Sequence, residues 1–121
     1  MTDRQRRQPG YVLHRRAYRE TSYLADVLSP EFGRLAGVFR GARKKRGASL
    51  EPFIRYGLAW HGKGQMVTVT SYDVEIEHLL RDRYLYAGLY LNELIVRALP
   101  VEVPAPPLFH AYDNAITGLA R

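Results

Sequence analysis

Phe53-Ile54-Arg55-Tyr56-Gly57-Leu58-Ala59-Trp60-His61-Gly62-Lys63-Gly64 is the stretch that decides the fold. Successive strand residues point to opposite faces. Here Ile54, Tyr56, Leu58 and Trp60 share one face, and Arg55, Gly57, Ala59 and His61 share the other. Gly62-Lys63-Gly64 has the composition of a hairpin turn. Met66–Tyr72 then resumes the alternation, with Val67 and Val69 opposite Thr68 and Thr70. Upstream, Tyr11–Tyr18 and Tyr23–Leu28 are rich in aromatic and β-branched residues, with Arg19-Glu20-Thr21-Ser22 between them as a turn. Ser29-Pro30-Glu31-Phe32-Gly33 punctuates the chain before a third segment, Arg34–Arg40. Five short strands with tight turns predict a small closed barrel, because closure leaves no strand edge unpaired. Trp60 is expected in its core.

From about Leu79 the period changes. Tyr84, Gly88, Leu91, Ile95 and Leu99 recur at three- and four-residue steps, one face of a helix that ends at Pro100. Pro104-Ala105-Pro106-Pro107 is a stiff connector, and Pro107 suits the first turn of a second helix. Leu108, Tyr112, Ile116 and Leu119 form that helix's stripe. The expected fold is therefore β followed by α, a five-stranded barrel and then the first helices of an incomplete helical domain. The expected boundaries are a flexible basic arm at 1–9, the barrel at 10–77 and the helical part at 78–121. Two helices offer each other too little cover. Part of their apolar stripes is expected to stay exposed, as in the front portion of a longer protein. Within the helix, Asn92 and Glu93 interrupt an apolar run and are expected to pair with the neighbouring helix or the barrel.

The charge is unevenly spread. The whole chain of 121 residues carries a formal +6. Residues 1–70 hold 14 Lys and Arg against 5 Asp and Glu, and residues 71–121 hold 4 against 7. Gly41-Ala42-Arg43-Lys44-Lys45-Arg46-Gly47 sets four cations side by side, and their mutual repulsion keeps such a run out of a core. A solvated loop would account for the run alone. However, Arg15, Arg16 and Arg19 crowd the first strand and its turn, Arg34 and Arg40 frame the third, and Lys63 sits at a hairpin tip. These cations can converge on one side of a barrel and track a phosphate backbone. Tyr18 and Tyr23 are candidates to stack on bases, whereas Tyr56 and Trp60 are assigned to the interior.

Other chemistries find little support. The chain has no cysteine, which excludes disulfides and thiolate metal sites within it. His14, His61, His78 and His110 lie in different elements without ligand spacing, and they read as packing or surface residues. The glycine-rich nucleotide motifs fail, since a third glycine would fall at Val67 and a Walker loop would need glycine where Arg46 stands. Asp73, Glu75 and Glu77 read as a solvated link rather than acid–base catalysts. No catalytic residue, metal or cofactor is assigned. No segment reaches the ~20 apolar residues of a membrane span, and the Arg-rich start is not a secretory signal. A soluble cytoplasmic protein is the expectation.

Taken together, Tyr11-Val12-Leu13-His14-Arg15-Arg16, Tyr18-Arg19-Glu20-Thr21-Ser22, Arg40-Gly41-Ala42-Arg43, Glu51-Pro52-Phe53 and Gly88-Leu89-Tyr90-Leu91-Asn92-Glu93-Leu94 resemble the bacterial recombination mediator family RecO. The resemblance implies an OB-fold barrel joined to a helical domain, in a non-catalytic, nucleoid-associated protein of DNA repair. It implies binding of single- and double-stranded DNA, strand annealing, and loading of RecA together with RecR. It also implies a helical-domain site for the C-terminal tail of single-strand-binding protein. Family members run to about twice this length and often add a cysteine-rich zinc element. Two other readings remain, an RNA-binding barrel of the translation apparatus and an adaptor that acts through its helices.

Overall fold

The computed structural model describes residues 7–45, 50–63, 66–99 and 103–120. Five strands form the first part: β1 Gln8–Tyr18, β2 Ser22–Ser29, β3 Gly33–Phe39, β4 Ile54–His61 and β5 Met66–Glu77. They close in the order β1-β2-β3-β5-β4, with β3–β5 parallel and every other pair antiparallel. That closed five-stranded order is the OB fold. Two helices follow, α1 Asp82–Ala98 and α2 Pro106–Leu119.

Alternation fills the interior as expected. Ile54, Tyr56, Leu58 and Trp60 all join Val12, Val27, Leu35, Phe39, Val67 and Val69 in the barrel core. Phe32 meets the indole of Trp60 edge-on, with ring centroids 5.2 Å apart. Two boundaries differ from expectation. Gln8 and Pro9, expected in a flexible arm, pair with Leu58 and Gly57 as the start of β1. Residues 1–6 of that arm lie outside the described residues. β5 also runs on through Asp73, Glu75 and Glu77, which were expected to form a link. Arg7 pairs with Asp73, and Arg55 Nε lies 3.2 Å from Glu75, so distant cations hold this acidic run against the sheet.

A second core joins barrel to helices. Tyr11, Leu13, Leu28 and Phe53 meet Leu80, Ile95, Phe109, Tyr112 and Ile116 there. Gly88 makes the approach possible, because a Cβ at this position would sit 2.7 Å from Leu80 Cδ2 and 2.8 Å from the Phe53 ring. Polar groups fix the register. Leu13 is skipped in the β1–β2 pairing, between Val12↔Val27 and His14↔Asp26. Such a bulge leaves its residue outside the ladder, and the buried amide of Asn92 donates to the Leu13 carbonyl at 3.2 Å. Asn92 Oδ1 in turn accepts from the Tyr112 hydroxyl at 2.6 Å. One side chain thus ties α1 to both α2 and the barrel, the structural role expected for it. Glu93 does not share that role. It lies on the exposed face and pairs with Arg97 one turn on, at 2.8 Å, and this partner holds its carboxyl below the usual range.

The helix stripes also differ in detail. Gly88, Asn92 and Ile95 form the buried side of α1, and Tyr84 faces solvent. In α2 the deepest residues are Phe109, Tyr112 and Ile116, with Leu108 and Leu119 only packed against the core. Part of the apolar surface is exposed, as expected, but it is carried by Tyr86, Leu89, Tyr90 and Leu94 on the outer side of α1.

The Asn92 arrangement gives a stability test. In Asn92→Leu the Leu13 carbonyl and the Tyr112 hydroxyl lose their partners inside the core. Each unsatisfied group costs about 1–3 kcal/mol, so a loss of about 2–6 kcal/mol is expected in denaturant unfolding. Adding Tyr112→Phe removes one of the two orphaned groups and should restore part of the loss. A single variant as stable as the parent would show that the amide does not carry this junction.

Beside it lies a charged cluster. The Tyr11 hydroxyl donates to Asp113, and Arg55 Nη1 reaches the other carboxylate oxygen of Asp113 at 3.3 Å. His78 Nε2 stands 3.2 Å from the same phenol oxygen. That phenol has already given its hydrogen to Asp113, so the imidazole must supply the hydrogen on Nε2. Burial raises the Tyr11 phenol well above its ordinary range, with Asp113 adding to the effect, and burial lowers His78.

Candidate nucleic-acid interface

Strand alternation sorts the expected DNA contacts into two groups. Arg15 and Arg16 are neighbours on β1, so their side chains leave opposite faces. Opposed residues in adjacent strands share a face. The pairs Arg16↔Leu24, Leu24↔Val38, Val38↔Thr68 and Thr68↔His61 therefore trace one outward row across all five strands. The row before it holds His14, Asp26, Ala36 and Met66. Beyond it lie Tyr18 and Ser22, with Arg40 just past the end of β3.

Arg16 lines a shallow depression with His14, Leu24, Asp26 and Ala36. Next to it is a wider groove lined by Tyr18, Arg19, Ser22, Val38, Arg40, Met66 and Thr68. The guanidinium of Arg19 lies over the Tyr18 ring, 5.2 Å from its centroid. Lys63 is exposed just beyond His61 at the end of β4. Among the described residues, Arg16, Arg40, Lys44 and Lys63 are exposed and have no hydrogen-bond or ion-pair partner. These four are free to meet an anion, as is Arg81 just before α1.

Arg15 belongs to the inward row Arg15–Ala25–Gly37–Val67. At the end of the barrel its guanidinium covers the Tyr23 ring at 4.4 Å and reaches Glu51 at 3.6 Å. Tyr23 itself packs on the barrel core. Arg15 and Tyr23 are thus separated from the outer face on which Arg16 and Tyr18 stand. Arg34 departs further from expectation. Its Nε donates to the Leu99 carbonyl at 2.9 Å and its Nη1 to Asp26 at 3.2 Å, with the side chain only 16% exposed. It clasps the end of α1 to the barrel rather than facing solvent.

The described part of the cationic loop, residues 41–45, is held by hydrogen bonds. Ala42–Lys44 forms one 3-10 turn that docks on the β1–β2 turn. The amide of Arg43 donates to the Thr21 carbonyl at 3.0 Å, and its Nη1 donates to the carbonyls of Arg19 and Glu20 at 3.0 and 3.2 Å. The Gly41 amide donates to Ser22 Oγ at 3.4 Å. Arg43 therefore holds the backbone of Arg19, which has φ +56°. Lys45 Nζ lies 4.8 Å from the centroid of the Tyr72 ring, and burial raises that phenol. Arg46 lies outside the described residues. Sequence reasoning passed over Met66 and Thr68, because only the parallel β3–β5 pairing brings them beside Arg40.

An OB-fold barrel with unpaired cations on its strands and turns, packed on a helical layer, defines the class of protein. Comparison with known proteins is consistent with it. Residues 1–76 match the family described as recombination protein O, N terminal. The chain is 46% identical over 114 residues to the DNA repair protein RecO of Pseudomonas aeruginosa strain UCBPP-PA14, covering 93% of this chain and 48% of that protein. It is 41% identical over 118 residues to the DNA repair protein RecO of Cellvibrio japonicus strain Ueda107, covering 94% and 50%. The chain belongs to the RecO family of DNA repair proteins. It spans about half the length of the curated relatives it matches.

Proposed function

We propose that this chain is a non-catalytic, DNA-binding part of a recombinational repair protein of the bacterial cytoplasm, associated with the nucleoid. It holds single- and double-stranded DNA through phosphates. The observation that carries this reading is the set of exposed, unpartnered cations on the barrel strands and their turns, Arg16, Arg40, Lys44 and Lys63. Cations on a rigid sheet displace counterions from a strand and leave its base edges free. A second strand can then approach a partly neutralised first one, which favours annealing. RecA loading together with RecR, and capture of the tail of single-strand-binding protein by the helical part, complete the proposed role.

Competition tests it. Single-stranded DNA, RNA of equal length and an acidic peptide are titrated against one labelled DNA–protein sample. DNA is expected to displace the label at the lowest concentration, with an affinity that falls steeply as salt rises. Displacement by RNA at a tenfold lower concentration would point to a translation-type barrel. Displacement by the peptide alone would point to an adaptor.

A further inference from the structure

Phosphate contacts account for the free cations of the outer face, but not for the groove between the β1–β2 turn and β5. Its lining is mixed, with two apolar side chains beside Thr68 and Ser22. Val38 lies there beside Met66, whose side chain is nearly half exposed in the middle of a cationic surface. Its wall is the Tyr18 ring with the Arg19 guanidinium over it, and Arg40 stands on the same groove. A groove meant only for phosphates gains nothing from an exposed thioether and a tyrosine ring. An aromatic face, a guanidinium plane and a polarizable floor are the surroundings a nucleobase prefers.

The wall is also fixed in place. Arg19 sits at φ +56°, a region that non-glycine residues seldom occupy unless the surroundings impose it. The tight β1–β2 turn sets this conformation, and Arg43 braces it through its two bonds to the Arg19 and Glu20 carbonyls. A wall pre-set in this way loses little freedom when a flat ring is laid against it.

Resting on the DNA-binding reading above, we propose that this groove takes one unpaired base of a single DNA strand, stacked against the Tyr18–Arg19 wall over Met66, with Arg40 on the adjoining phosphate. In a duplex the base is already stacked and its faces are covered, so the groove favours single strands. Arg43 acts as a positioning residue for the wall.

The test needs no variant at first. The 121-residue chain is titrated with an oligothymidylate and with a strand of the same length and charge whose sugars lack bases. Stacking against an aromatic side chain is worth a factor of about 5 to 150, so the abasic strand is expected to bind at least fivefold more weakly, with the same salt slope. Equal affinity for the two strands overturns the base site while leaving phosphate binding intact. Absence of salt-dependent binding to either strand overturns the DNA reading itself. A single 2-aminopurine placed in the oligothymidylate should be quenched on binding by the parent and by Tyr18→Phe, and not by Tyr18→Ala. Quenching that survives Tyr18→Ala, in a variant with the parent's circular dichroism, would also overturn the proposal. A tenfold preference for oligouridylate over oligothymidylate would overturn its assignment to DNA.

Discussion

Replacing Trp60 with alanine is expected to destabilise the barrel by about 3–5 kcal/mol. The indole is 4% exposed, stands in the inward row Tyr23–Phe39–Val69–Trp60, and is covered at its edge by Phe32. Alanine leaves a large void that neighbouring strands cannot fill, because the closed hydrogen-bond ladder fixes their spacing. Native domains are stable by only about 5–15 kcal/mol, so the variant should melt far earlier than the parent in circular dichroism. The same residue provides a second check as the chain's single tryptophan. Its emission should be blue-shifted in the native state and move to that of free indole on unfolding. A variant with the parent's melting temperature would refute the placement.

The second large effect is on affinity. Changing Arg16, Arg19, Arg40 and Lys44 together to alanine removes four cations from the outer face and its adjoining turns. Each lost contact should lower the slope of log K against log salt by about 0.7 on single strands, so the total change is about 3. Between 50 and 200 mM salt the parent should then lose about 50-fold more affinity than the variant. Arg34→Ala is the control. It removes a positive charge of the same kind, but one bonded to Leu99 and Asp26. It should lower stability and leave the slope almost unchanged. If Arg34→Ala flattened the slope as strongly as a change at Arg40, the sorting of cations by face would be wrong.

Much of the barrel was legible in the sequence because its signal is local. Ile54, Tyr56, Leu58 and Trp60 reveal their common face without knowledge of any partner strand. β5 was legible only to Tyr72, since Asp73, Glu75 and Glu77 look like a solvated run until Arg7 and Arg55 are seen beside them. The helices and the centres of their stripes, Gly88 with Ile95 and Tyr112 with Ile116, were found, but the edges were misread at Tyr84, Asn92 and Phe109. A step of one residue turns the stripe by about 100°, enough to exchange Phe109 for Leu108.

The candidate interface was legible as a composition and not as a surface. Nothing local separates Arg15 from Arg16 until the register with Ala25 and Leu24 is known. Nor does a run of four cations disclose that Arg43 is spent on the carbonyls of the preceding turn. Arg34 lies 65 residues from the Leu99 carbonyl it holds. Such pairings follow from three-dimensional closure, to which periodicity is blind.

The parallel pairing of β3 with β5 has a consequence for how the chain is made. Ala36–Phe39 pair with Met66–Val69, thirty residues later in the sequence. At about 5–20 residues per second, a ribosome needs roughly 2–6 s to deliver the second segment after the first. During that interval β1, β2 and β3 can form their meander, but the far edge of β3 has no strand to receive. An open edge is a template for other nascent chains. Arg34 and Arg40 bracket that edge, and their charge repels a second copy carrying the same pair. On the finished protein one of them clasps a helix and the other faces solvent, whereas on the polysome both guard an unfinished sheet.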